Sequence, residues 1–212
     1  MLTRFIILGR SRTGSSFLVS LLNSSPQIAC EGETLRRIGD DREDDRFRWV
    51  YRDREPQVKA AGFKFFYYHP IDRPGSPAWE MLRSWIDIRV IHLKRRNIAR
   101  SIVSREIALK EGFWAMRKGD PDRSRPVEQR KVRLTRDYLD RQIAATTRRM
   151  ERCDRLRHTH AYMEVWYEHL ARDPQGQCDR VAQFLELDRW EASSDYRRQN
   201  PEPLEQLLEI VD

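Results

Sequence analysis

A chain of 212 residues with 39% hydrophobic side chains suffices for one substantial core rather than two, so residues 1–212 are expected to form a single domain. Forty basic against 33 acidic residues leave a net charge of +7, but the two signs are interspersed among aromatic and aliphatic clusters, which excludes a disordered chain. Cys30, Cys153 and Cys178 are an odd set without metal-ligand spacing, and no apolar run nears the ~20 residues of a membrane span or forms a leader, so a cytoplasmic protein without metal is expected.

Taken in order, Arg4–Leu8 is an apolar run that reads as a buried strand. Gly9–Gly14 turns the chain, and Ser15–Asn23 reads as a helix carrying Phe17, Leu18, Leu21 and Leu22 on one face. Ser24-Ser25-Pro26 closes it. Further strands are expected at Gln27–Cys30, Gly62–Tyr67, Arg89–Leu93 and Ala161–Val165, with a helix near Ala78–Trp85. Val127–Leu156 reads as one long helix, in which Leu139, Ile143, Thr146, Met150 and Cys153 share a face. Pro203–Val211 is predicted as a last helix opened by proline. The polar stretches Arg36–Glu55 and Gly112–Pro126 read as irregular connections. Strands alternating with helices predict an α/β fold: a P-loop-type parallel sheet flanked by helices.

The strongest local signal is Gly9-Arg10-Ser11-Arg12-Thr13-Gly14-Ser15-Ser16, placed where the first strand meets the first helix. Backbone N–H groups at such a turn and the helix N-terminus cradle an anion. The two glycines allow the tight path, Ser15 and Ser16 add hydroxyls, and Arg12 can reach the bound anion. The spacing of the glycines is that of a Walker A loop, yet Ser15 stands where that loop has its lysine. The strand Arg89–Leu93 runs on into Lys94-Arg95-Arg96 instead of ending in a magnesium-binding aspartate. Metal-independent chemistry on a phospho-anion fits these residues better than kinase chemistry.

Arg12-Thr13-Gly14-Ser15-Ser16 resembles the loop of the PAPS-dependent sulfotransferases, a basic residue followed by Ser/Thr, Gly, Ser/Thr and Ser/Thr. Arginine at the first position is similar to bacterial carbohydrate and glycolipid members, including those acting on nodulation factors and trehalose. The resemblance implies a sulfotransferase-like fold, PAPS as cosubstrate and adenosine 3′,5′-bisphosphate as product. It assigns the 5′-phosphosulfate to Arg10–Ser16. A second match is independent: the family binds the nucleotide 3′-phosphate with an arginine at a strand end and a serine eight residues later, as Arg96 and Ser104 are spaced. Glu164–Leu170 and Phe184–Leu187 are similar to a late segment of the family that reads as scaffold, and Arg197–Pro201 to its C-terminal basic segment, which puts Arg198 on the 3′-phosphate.

Two residues compete for the role of general base. Glu33, after the second strand, lies where related carbohydrate sulfotransferases place a catalytic glutamate; burial would raise its pKa and Arg12 would lower it. An ordinary surface pair with Arg36 or Arg37 is the alternative. His69 lies near the catalytic histidine of cytosolic members and titrates in a suitable range, but a histidine beside Pro70 can equally be structural. Lys64 matches a strand lysine that touches the transferring sulfonate in some relatives. His92, in mid-strand, reads as buried and hydrogen-bonded. The acceptor implied by the resemblance is a small molecule or carbohydrate, through a hydroxyl or amine. A small-molecule or nucleotide kinase, a nucleotide binder without turnover, and a nucleic-acid binder are the alternatives. The last is disfavoured by the mixed charge and the lack of a recognition motif. Oligomeric state is not readable.

Overall fold

The computed structural model describes residues 2–120, 126–197 and 199–212. Five strands, β1 (Thr3–Gly9), β2 (Ile28–Glu31), β3 (Ala60–Phe66), β4 (Arg89–Lys94) and β6 (Tyr162–Trp166), form a parallel sheet in the order β2-β3-β1-β4-β6. A parallel sheet is covered on both faces, which is why β1 reads as an unbroken apolar run. Its side chains alternate: Phe5 and Ile7 pack with Leu18, Leu22, Val165 and Val181, while Ile6 and Leu8 pack on the other face with Phe47, Phe63, Phe65 and Val90.

The helices come from the connections. After β1 runs α1 (Ser15–Asn23), after β3 α3 (Ala78–Ser84), and after β4 α4 (Ile98–Glu111), capped by Asn97 accepting the Arg100 N–H. After β6 follow α7 (Tyr167–Arg172) and α8 (Pro174–Leu185). The chain moves from β1 outward to β2 and then crosses to β4, so the strand order switches direction at β1. In open α/β sheets, ligands bind at the carboxyl ends of strands beside such a switch.

Three expectations from the sequence need correcting. Arg36–Glu55 is not irregular throughout: α2 (Glu43–Val50) forms there, with Phe47 and Val50 fully buried. Its first turn holds Glu43, Asp44 and Asp45, which suit a helix N-terminus electrostatically but mask the apolar face in the sequence. Val127–Leu156 is not one helix. A short turn, α5 (Val127–Arg130), gives way to strand β5 (Val132–Thr135) before α6 (Arg136–Asp154) begins at a Thr135 cap, and a 3₁₀ turn (Arg155–His158) ends it. Pro203–Val211 is likewise split into α9 (Leu204–Leu207) and strand β7 (Leu208–Val211). The cause is shared: Val132-Arg133-Leu134-Thr135 and Leu208-Glu209-Ile210-Val211 pair as parallel strands, and Val132 and Leu207 pack under Val103 and Ile107 of α4. Within α6 the expected face is present, with Leu139, Thr146 and Cys153 buried.

Candidate active site

The turn after β1 is shaped by two glycines. A Cβ on Gly9 would stand 2.7 Å from the Leu93 carbonyl oxygen, and Gly14, at φ +84°, would drive one into the Tyr167 ring at 2.6 Å. Arg12 also takes a left-handed conformation, φ 67°, which costs an L-residue and is held by its contacts. The Thr13 hydroxyl donates to the Arg10 carbonyl at 2.8 Å, pinning the loop on itself. Ser15 and Ser16 then open α1, whose first-turn N–H groups have no partner within the helix.

This turn lines a cleft of about 290 Å³, together with Tyr167 and Arg95, Ser104 and Arg100 of α4 and its approach, Trp114, and the C-terminal segment with Arg197 and Gln199. Arg12 spans it: Nε donates to Ser104 Oγ at 2.9 Å, and the two Nη atoms donate to the Trp114 carbonyl and to Gln199 Oε1, each at 2.5 Å. Burial and then the charge of Arg95 pull the Arg12 guanidinium down to about 10, still cationic at neutral pH. Arg95 donates to the Arg12 carbonyl at 2.7 Å and lies over the Tyr167 ring, 4.3 Å from its centroid. Partly buried cations crowded at a helix N-terminus suit an anion.

Of the residues expected at the nucleotide, Arg12, Gly14, Ser15, Ser16 and Ser104 line this cleft. Thr13 is buried inside the loop, and Ser11 gives its N–H to Tyr68 Oη at 3.2 Å while its buried hydroxyl has no hydrogen-bond partner. Arg10 turns elsewhere, its side chain donating to Thr146 Oγ1 of α6 at 2.6 Å. Arg96 is exposed and outside the cleft: it bonds His169 Nε2 at 3.0 Å and lies by Trp166, whereas its neighbour Arg95 lines the cleft. The reason is the pleat. β4 runs to Lys94, one residue beyond the expected end, so the next two side chains leave on opposite sides. Arg198 lies outside the described residues. Tyr167, Arg95, Arg100 and Trp114 were missed as cleft residues. Tyr167 lies in the stretch read as scaffold, and only its place after an apolar strand could have marked it.

The three candidates for chemistry come together. β2 pairs with β3 so that Glu31 lies opposite Phe63, and Lys64 gives its N–H to the Gly32 carbonyl at 2.9 Å. That register brings Glu33 Oε1 to 3.5 Å from Lys64 Nζ and Oε2 to 3.4 Å from His69 Nε2. Lys64 Nζ also donates to Ser16 Oγ at 3.3 Å, tying the cluster to the phosphate loop. Partial burial alone would raise the Glu33 carboxyl, but His69 and Lys64 outweigh it and hold it below the usual carboxylate range. Arg12 is not among the causes; Arg36, 3.6 Å away, is a lesser one. Burial pushes the His69 ring below the usual imidazole range. His69 Nδ1 accepts the Phe66 N–H at 3.2 Å, so the neutral ring carries its proton on Nε2, facing Glu33. The His69 side chain is wholly buried, whereas Glu33 is 29% exposed. His92 is buried as expected, bonded to Tyr67 Oη at 2.6 Å and to Asp154 at 3.1 Å.

The sulfotransferase domain family matches residues 2–200. Nodulation protein H of Rhizobium tropici is 33% identical over 135 residues, covering 58% of this chain and 52% of that protein, so the chain spans about half the length of this relative. A crystal structure of a sulfotransferase from Alicyclobacillus acidocaldarius superposes with a TM-score of 0.59 over 93% of this chain and 86% of the other. At 14% identity that likeness shows the fold, a sulfotransferase-type parallel sheet between helices. With a match over nearly its whole length, the chain belongs to the sulfotransferase domain family.

Proposed function

We propose that residues 1–212 act as one catalytic domain that moves a sulfuryl group from PAPS to a hydroxyl or amine of a carbohydrate or glycolipid acceptor. The observation that carries this reading is the joining of Glu33 to the phosphate loop through Lys64. The residues fit the donor: a left-handed Arg12 and the open first turn of α1 line one cleft together with Ser104. Arg12, Thr13, Gly14, Ser15 and Ser16 would hold the 5′-phosphosulfate, and Ser104 with Arg95 and Arg100 the 3′-phosphate. Bound PAPS supplies an activated sulfur: the acceptor oxygen or nitrogen bonds to it as its bond to the 5′-phosphate oxygen breaks, and that oxygen keeps the electron pair.

Glu33 is the general base and takes the acceptor's proton. It is the member of the pair that an acceptor can reach, and it is ionised at neutral pH. His69 is a positioning residue whose Nε2 stands 3.4 Å from the Glu33 carboxylate. Lys64 places a cation between the base and the loop, where negative charge moves during transfer. Transfer from ³⁵S-labelled PAPS to a panel of saccharides and glycolipids tests the reading. Glu33→Gln keeps the shape but removes the basicity, and should lower turnover by about 10²–10⁴-fold with adenosine 3′,5′-bisphosphate affinity unchanged. A wild-type chain that binds neither PAPS nor the bisphosphate would overturn the function, and full turnover by Glu33→Gln would overturn the base.

A further inference from the structure

A second cleft, of about 310 Å³, shares no lining residue with the first. Its walls include Arg10, Tyr68, Arg105, Tyr138 and Arg149. Arg10 and Arg12 are two residues apart in one loop yet serve different clefts, and so do the neighbours Ser104 and Arg105 on α4. Tyr68 immediately precedes His69, so the second cleft begins one residue from the base cluster.

The charges in this cleft do not balance. Arg10 is 7% exposed, yet no carboxylate among the described residues pairs with it. One Nη atom bonds a threonine hydroxyl, and its buried Nε has no hydrogen-bond partner. Arg105 and Arg149 both lie near enough to press on its charge. Among the described residues, the carboxylate bonded to this group is Glu106, shared by Arg105 at 2.7 Å and by the Tyr138 hydroxyl at 3.0 Å. Three guanidinium groups therefore line the cleft, and among the described residues only that of Arg105 has a carboxylate partner in Glu106. A buried guanidinium without a counter-ion is costly, and arginine forks match oxyanions in both charge and shape. The tyrosines add flat apolar faces with polar tips, surfaces that suit a sugar ring.

We propose that this cleft binds an anionic substituent of the acceptor, a phosphate or carboxylate carried on a carbohydrate, through Arg10, Arg105 and Arg149. The proposal rests on the sulfotransferase reading and narrows its acceptor class. In a calorimetric test the protein is first saturated with adenosine 3′,5′-bisphosphate, which fills the nucleotide cleft, and then titrated with glucose 6-phosphate, glucuronate, glucose and inorganic phosphate. At least one charged sugar should bind tenfold or more tightly than glucose and than inorganic phosphate. Arg105→Gln and Arg149→Gln should each weaken that binding about tenfold, equal to about 1.4 kcal/mol, without changing bisphosphate affinity. Charged sugars binding no better than glucose, or no better than inorganic phosphate, would overturn the proposal. So would indifference to both substitutions. A chain that fails to bind the bisphosphate but holds a charged sugar through Arg105 and Arg149 would sink the sulfotransferase reading and keep the cleft; the converse sinks the cleft alone.

Discussion

Glu33 and His69 are separate candidates in the sequence and partners in the fold. The hydrogen bonds divide their roles: the His69 Nδ1 lone pair is spent on the Phe66 N–H, so the ring has no acceptor left to offer a substrate. Replacing His69 by asparagine removes a contact that lowers the Glu33 pKa, which must then rise. As the proposed base Glu33 must be ionised, so activity should be lost as pH falls through its pKa, held below the usual carboxylate range in the intact protein. In His69→Asn the acid limb of kcat/KM should move to higher pH, and the loss near neutrality, where Glu33 stays ionised, should be smaller than in Glu33→Gln. A pH–rate profile checks it. An acid limb that stays in place, or a loss exceeding that of Glu33→Gln, would return the base to His69. The identity of these residues was legible because each follows a recognisable strand. Their contact was not, since it depends on the β2–β3 register, which no local pattern specifies.

At the scale of elements, the β1–loop–α1 unit was readable because its apolar run, paired glycines and helix face sit within about twenty consecutive residues. The β5–β7 pair was not, because each strand is four residues long and finds its partner far along the chain. In isolation, Val132–Thr135 and Leu208–Val211 satisfy a helical pattern as well as a strand pattern, and only the tertiary pairing decides. α2 escaped for another reason, that charged neighbours hide Phe47, which packs edge-on against Phe63 and Trp85. The loop unit carries its own test. Gly14→Ala combines a left-handed backbone with a contact on the Tyr167 ring, and should cost about 1–3 kcal/mol of stability and weaken the bisphosphate. Adding Tyr167→Ala removes the contact but not the backbone penalty, so the second cost of Gly14→Ala should be smaller. Equal costs in both backgrounds, measured by denaturant unfolding, would show that Tyr167 does not shape the loop.

Across the whole molecule, the net charge of +7 decided nothing as a number, since its use lies in where arginines cluster. Among the described residues arginines gather in two clefts, one with Arg12, Arg95 and Arg100 and one with Arg10, Arg105 and Arg149, while Arg130 pairs with Glu202 and Arg54 with Glu31. Filling the first should be visible globally. Adenosine 3′,5′-bisphosphate at a hundred times its Kd should add about 2.7 kcal/mol, which for a chain of this size is about 5–10 °C in Tm. Adenosine 5′-phosphate at the same concentration should add less, since it cannot use Ser104, Arg95 and Arg100. An equal shift with both nucleotides, in a thermal melt, would remove the 3′-phosphate assignment.

Arg10 and Arg12 leave the same short loop for opposite neighbours, one toward α6 and one toward α4 and the C-terminal segment. Only Ser11 separates them, and the loop between is stitched by Thr13 and Tyr68. An anion that draws on one guanidinium would therefore pull on the same loop that carries the other. With donor and acceptor in the two clefts as proposed, any coupling through this loop would be reciprocal: whatever factor an occupied acceptor cleft applies to nucleotide affinity, bound nucleotide would apply to the acceptor in return.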